Sequence, residues 1–192
     1  MPTMGPMGRW EPDARSRLQA AALEAFEARG YEQTTVADIA AAAGLTERTF
    51  FRHFADKREV LFAGTAELRQ AMVSAVVGAP ECCTPLAAVA LALDTSAAYF
   101  VDRQRHARRR QCVLEANPVL AEREASKMGL LVEDLSGALR RRGVGEPAAT
   151  LTAELGVVAF RTAFVRWLDE EGTTLPEVNR RVLDELRAAA AG

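Results

Sequence analysis

Apolar residues along the chain recur at intervals of three and four, and no segment alternates apolar with polar as a half-buried strand would. Breaks fall at Gly30, Gly44, Pro80, Pro85, Pro118 and in the clusters 143–147 and 172–176. Between them the pattern predicts helices throughout, so the fold class is all-α. The first helix carries Leu18, Ala21, Ala22, Ala25 and Phe26 on one face. Gly30 fits the left-handed position just beyond its end. Two short helices follow, 36–43 and 47–54. Thr34 or Thr35 caps the first, Gly44 stops it, and Thr46 caps the second. Asp56 caps a long helix over 57–77. Longer helices are expected at 85–103, 105–116, 118–142, 147–171 and 176–190, about nine in all.

Short helices joined by a tight glycine turn make a helix-turn-helix unit, which presents its second helix to a major groove about 12 Å wide. Ala40 is small where the two helices approach. Ile39, Ala43, Leu45 and Phe50 fill the space between them, and Phe50 and Phe54 lie four apart on the inner face. The outer positions hold Thr46, Glu47, Arg48, Thr49, Arg52 and His53. Three segments follow: a flexible arm over 1–12, a helix-turn-helix domain over 13–62, and a larger helical domain over 63–192. The helix from Lys57 is expected to belong to both domains.

Composition narrows the function. The chain has 192 residues, 49% hydrophobic and 26% charged, which is ordinary for a globular protein with a sizeable core. No uncharged stretch approaches ~20 residues and no charged-then-apolar leader opens the chain, so a cytoplasmic protein without a membrane partner is expected. Three cysteines have neither disulfide-framework nor zinc spacing; Cys112 reads as a small buried hydrophobe. The net charge of −2 excludes a globally basic nucleic-acid binder. Residues 1–64 hold eight Lys/Arg against nine Asp/Glu, but the positive charge gathers between Arg48 and Arg58, where a duplex would touch. No phosphate-binding, dinucleotide-binding, nucleophile-elbow or zinc-protease motif occurs, and His53 and His106 are the only histidines, so neither an enzyme nor a cofactor is expected.

The runs Thr34-Thr35-Val36-Ala37-Asp38-Ile39-Ala40, Gly44-Leu45-Thr46 and Thr49-Phe50-Phe51-Arg52-His53-Phe54-Ala55-Asp56-Lys57 resemble the DNA-binding domain of the TetR family. The resemblance spans about residues 13–62. It implies a homodimeric, all-helical repressor bound to double-stranded operator DNA and released by a small-molecule effector. By position it implies that Thr46, Arg48, Thr49, Arg52 and His53 face DNA, with Thr35 and Lys57 on phosphates. Phe51 departs from the tyrosine usual there. It keeps the packing and loses a phosphate hydrogen bond, generally worth about 0.5–1.5 kcal/mol.

In the second half, Arg108-Arg109-Arg110, Asn117-Pro118 and the segment from Phe160 to Leu168 resemble regulators described as binding acyl-CoA-like ligands. Tyr99, Phe100, Leu114, Met128, Leu131, Leu135, Phe160 and Phe164 are candidates to line an apolar pocket, or simply core. Few polar groups fall among them, which favours an apolar or amphipathic effector. Gly156, Ala159, Thr162 and Ala163 offer small side chains for close helix approach, and Phe160, Val182 and Leu186 offer area. The last two helices of each copy would then form a four-helix bundle about a two-fold axis, although packing within one chain could use the same residues. The arginine-rich run 103–110 reads as a solvated face with acidic partners, and Arg140–Arg142 as cations at a helix C-terminus. A helical small-molecule carrier without DNA function is the rival reading.

Overall fold

A computed structural model of the chain describes residues 13–191, with side chains through Ala189; the arm expected over 1–12 lies outside the described residues. Among the described residues there are nine α-helices, two 3-10 turns and no strand. They form two compact units that divide between Ala63 and Gly64.

The N-terminal unit holds α1 (Ala14–Arg29), α2 (Val36–Ala42), α3 (Glu47–His53) and a 3-10 turn, Glu59–Phe62. Asp13 starts α1 by accepting the Ser16 N–H at 2.7 Å. Leu18, Ala22 and Phe26 from α1 meet Ile39 and Ala40 from α2, Phe50 from α3 and Val60 from the turn, all buried. Phe50 is fully enclosed, with Phe54 beside it at 5.4 Å between ring centres. The inner face read from the sequence is therefore the core.

The C-terminal unit holds α4 (Thr65–Val77), α5 (Pro85–Ser96), a 3-10 turn (Ala97–Phe100), α6 (Gln104–Glu115), α7 (Pro118–Arg141), α8 (Ala148–Asp169) and α9 (Leu175–Ala191). Thr84 caps α5 on the Ala87 N–H, and Pro85 supplies a first turn that needs no donor. Ala88, Val89, Ala92 and Leu93 of α5 are all fully buried, against α4, α8 and α9. The closest approach is at Gly156 of α8, where an added Cβ would stand 2.4 Å from Val89 Cγ1.

Two helices differ from the sequence reading. The helix expected over 57–77 is interrupted: Ala63 is extended and Gly64 sits at φ +87°, a conformation that only glycine adopts without strain. The helix expected over 85–103 ends at Ser96 and tightens into the 3-10 turn. Two stretches, Glu59–Val77 and Ala148–Asp169, have the length and apolar composition of membrane spans. In Ala148–Asp169 the inward face is spent on the core of the unit, through Ala149, Ala153, Val157, Phe160 and Trp167.

Candidate nucleic-acid interface

The turn between α2 and α3 is built from backbone bonds that require a left-handed residue. Leu45 N–H reaches Ala40 O at 2.8 Å and Gly44 N–H reaches Ala41 O at 2.9 Å, with Gly44 at φ +64°. This pattern closes the end of α2 and reverses the chain. Arg17 of α1 donates to the Ala43 carbonyl and ties the same turn to the core. That role is not legible from the sequence, because an arginine on a helix reads as surface charge.

Threonines set both helix starts. Thr35 Oγ1 accepts the Asp38 N–H at 3.1 Å, while Asp38 Oδ2 accepts from the Thr35 amide at 2.9 Å and its hydroxyl at 2.8 Å. Those bonds hold the Asp38 carboxyl below its ordinary range. Thr35 is exposed at the tip of α2, with its own polar atoms already committed to the cap. At α3, Thr46 Oγ1 accepts the Thr49 N–H at 3.2 Å and shares a 3.1 Å bond with the Thr49 hydroxyl. One bond between two hydroxyls leaves one hydroxyl proton free to donate outward.

Glu47, Arg48, Phe51 and Arg52 are all exposed on the outer side of α3. Arg48 lies three residues before Phe51 and four before Arg52, so these side chains share a face. Neither arginine has an acidic partner among the described residues. Phe51 is 55% exposed, and its ring stands edge-on to Phe50 at 5.5 Å and 82°. Thr46 is exposed and Thr49 half-buried beside them.

Two of the expected DNA contacts, Lys57 and His53, are half-buried. Lys57 Nζ donates to Tyr31 O at 2.7 Å and Thr34 O at 2.9 Å, and lies 4.0 Å from the centre of the Tyr31 ring. Its ammonium staples the α1–α2 loop, because two carbonyls and a ring face surround it more closely than solvent does. Burial raises the Tyr31 hydroxyl above its ordinary range. His53 is half-buried, and its Nε2 is enclosed without a hydrogen-bond partner. After them, Asp56 receives the amides of Arg58 at 2.8 Å and Glu59 at 3.1 Å. Burial would raise its carboxyl, but the Arg58 guanidinium and these amides outweigh it and hold the group low.

In the C-terminal unit the candidate ligand residues separate. Leu131, Leu135 and Phe160 are buried in the main core, with Phe100, Met128 and Phe164 packed against it. Tyr99 is half-buried and Leu114 buried, both outside that cluster. Phe164 meets Phe100 at 5.0 Å, Phe160 at 5.9 Å and Trp167 at 5.7 Å. Trp167 was not among the candidate pocket residues, although its spacing from Phe160 and Phe164 places it on their face. Asn179 of α9 is fully buried; its Nδ2 donates to Leu93 O at 3.1 Å and its Oδ1 is enclosed without a donor.

The residues expected to pair two copies are mostly internal. Gly156, Ala159, Ala163, Phe160 and Val182 are buried within the one chain, and Leu186 is half-buried against the same core. Their small side chains serve α5 and its neighbours, as the Gly156–Val89 approach shows. The outward face of α8 instead carries Leu151, Leu155, Val158 and Val165, all exposed, with half-buried Thr162 between the last two. Their spacing of four, three, four and three is that of a helix-pairing seam. The same spacing is legible in the sequence.

The basic run does have local partners. Arg108 donates to Leu168 O at the end of α8 and lies 3.7 Å from Asp169, while Arg110 pairs with Glu124 at 3.0 Å. Arg140 pairs with Glu146 at 2.6 Å, and Arg142 donates to Pro80 O at 2.7 Å. Cys112, expected to be buried, is exposed on α6.

Residues 18–63 match the family of bacterial regulatory proteins called the tetR family. That match covers the helix-turn-helix of the N-terminal unit. It is 44% identical over 75 residues to the HTH-type transcriptional regulator TcmR of Streptomyces glaucescens, a match covering 39% of this chain and 33% of that protein. The chain thus matches about a third of the length of that relative. A protein of Mycobacterium tuberculosis, provisionally named the mycofactocin biosynthesis transcriptional regulator MftR, is 26% identical over 198 residues, covering 98% of this chain and 96% of the relative. The fold is shared with FadR of Bacillus subtilis, solved with stearoyl-CoA, at a TM-score of 0.59 and 18% identity over 88% of this chain and 95% of that one. These relatives are transcriptional regulators, not enzymes.

Proposed function

We propose that the protein is a cytoplasmic, DNA-binding transcriptional regulator that acts as a homodimer and is released from its operator by a small molecule. The observation that carries this reading is the outer face of α3, where exposed Arg48 and Arg52 flank Phe51 with no acidic partner among the described residues. Arginine recognises guanine edges and phosphates alike, and a short helix held by a glycine turn fits the major groove. Thr46 and Thr49 add a hydroxyl donor, and Thr35 sits where α2 begins. Lys57 holds the α1–α2 loop from within.

Pairing through the α8 seam supports the dimer, because two recognition helices must reach successive major grooves about 34–36 Å apart. The aromatic cluster of Phe100, Phe160, Phe164 and Trp167 favours an apolar or amphipathic effector, and the acyl-CoA held by the FadR fold relative makes an acyl-CoA-like molecule the leading class. Release follows from differential affinity: the effector prefers a conformation of the pair whose recognition helices miss the grooves.

The test is a salt titration of duplex binding by the full chain. Several phosphate contacts give a steep linear fall of log K with log salt, about 0.9 per contact. A flat dependence, or no binding to any duplex, contradicts the reading.

A further inference from the structure

Among the described residues of the N-terminal unit, Phe51 is the one large apolar side chain left exposed, at 55%. It is also rigid. Its ring stands edge-on to Phe50, which is fully buried, so the outer ring has a fixed place on the face of α3. Arg48 lies three residues before it on the same side of the helix, Arg52 follows it, and Glu47 lies one turn before.

What such a ring can recognise is narrow. A phenyl group offers no donor to a phosphate oxygen or to a base-edge acceptor, and pressing it on either would strip water from a group left unpaired. Between two arginines that answer those polar groups, the ring must meet an apolar surface. The major groove offers one such surface that depends on sequence, the 5-methyl group of thymine. We propose that Phe51 is a specificity-determining residue that selects a thymine in each half of the operator by packing its ring on the 5-methyl group. The inference rests on the DNA-binding reading above and adds a base preference to it. The tyrosine usual in the family at this place has a hydroxyl to spend on phosphate; this chain has only the ring.

The test uses the full chain and a duplex selected for binding from a random pool. Each thymine of one half-site is replaced in turn by deoxyuridine, which removes the methyl and nothing else. Binding is measured for the wild type, Phe51→Ala and Phe51→Leu. One thymine position is expected to lose about fourfold in affinity in the wild type, the factor for burying one methylene-sized group. The same replacement leaves Phe51→Ala unchanged, so the two effects are coupled in a double-mutant cycle. Phe51→Leu keeps part of the loss and shows that a folded, apolar variant still reads the methyl. If every deoxyuridine duplex binds as tightly as its parent, or if each replacement weakens wild type and Phe51→Ala alike, the proposal is overturned while DNA binding stands. A ring lying on deoxyribose would make Phe51→Ala weaken all duplexes equally, which also overturns it. Failure to select any duplex removes both readings together.

Discussion

Lys57 carries a positive charge at the end of the recognition segment, yet its ammonium is spent on two carbonyls and the Tyr31 ring. Its work is structural. Replacing it by methionine keeps the stem and removes the charge, so Lys57→Met is expected to lower stability by about 1.5–3 kcal/mol, the range for hydrogen bonds from a charged donor. The salt slope of DNA binding should stay as in the wild type; a slope shallower by about 0.9 would mean that the lysine holds a phosphate after all. Arg52 and Phe50 make the complementary pair. Arg52→Ala removes an exposed cation, and weaker duplex binding is expected with a stability change below about 1 kcal/mol. Phe50→Ala empties the centre of the unit and should cost about 3–5 kcal/mol in thermal or urea unfolding. Equal losses of stability would show the two faces of α3 to be misassigned. The outer arginines were legible in the sequence from their period against Phe50 and Phe54. The inward turn of Lys57 was not, because the carbonyls that hold it lie 26 and 23 residues away.

At the level of the helices, local chemistry announced most starts and stops. Thr35, Thr46 and Thr84 cap through their hydroxyls, and Gly44 turns the chain left-handed, all within reach of one short window of sequence. The break at Gly64 was hidden, since apolar residues continue at helical spacing on both sides and a single glycine is tolerated in a helix. Its φ of +87° ends the helical path there, and nothing in the spacing of the flanking apolar residues announces it. The same limit explains the small residues of α8. Their period says that a helix comes close, not whether that helix belongs to the same chain. Gly156→Ala separates the two cases. Packing against Val89 predicts a destabilisation of about 1–3 kcal/mol in urea unfolding, with self-association unaffected at equal folded fraction. Unchanged stability with a lost dimer would put a second copy at Gly156 instead.

For the whole molecule, α8 has two jobs on two faces. One face closes the core through Gly156, Ala159 and Ala163, and the other leaves Leu151, Leu155, Val158 and Val165 in solvent in a single chain. This exposed aliphatic stripe is the proposed association surface, and a second copy of α8 would match it by symmetry. In the proposed function, two-fold pairing brings two Arg48–Phe51–Arg52 faces to one duplex, and the aromatic cluster of the C-terminal unit receives the effector. The most direct measurement is the mass of the complex between the full chain and its selected operator, by sedimentation. Two chains per duplex are expected, on half-sites whose centres lie about 10–10.5 base pairs apart or a multiple of that. A single chain holding the duplex with full affinity, or a dimer with no preference for any duplex, would contradict the account.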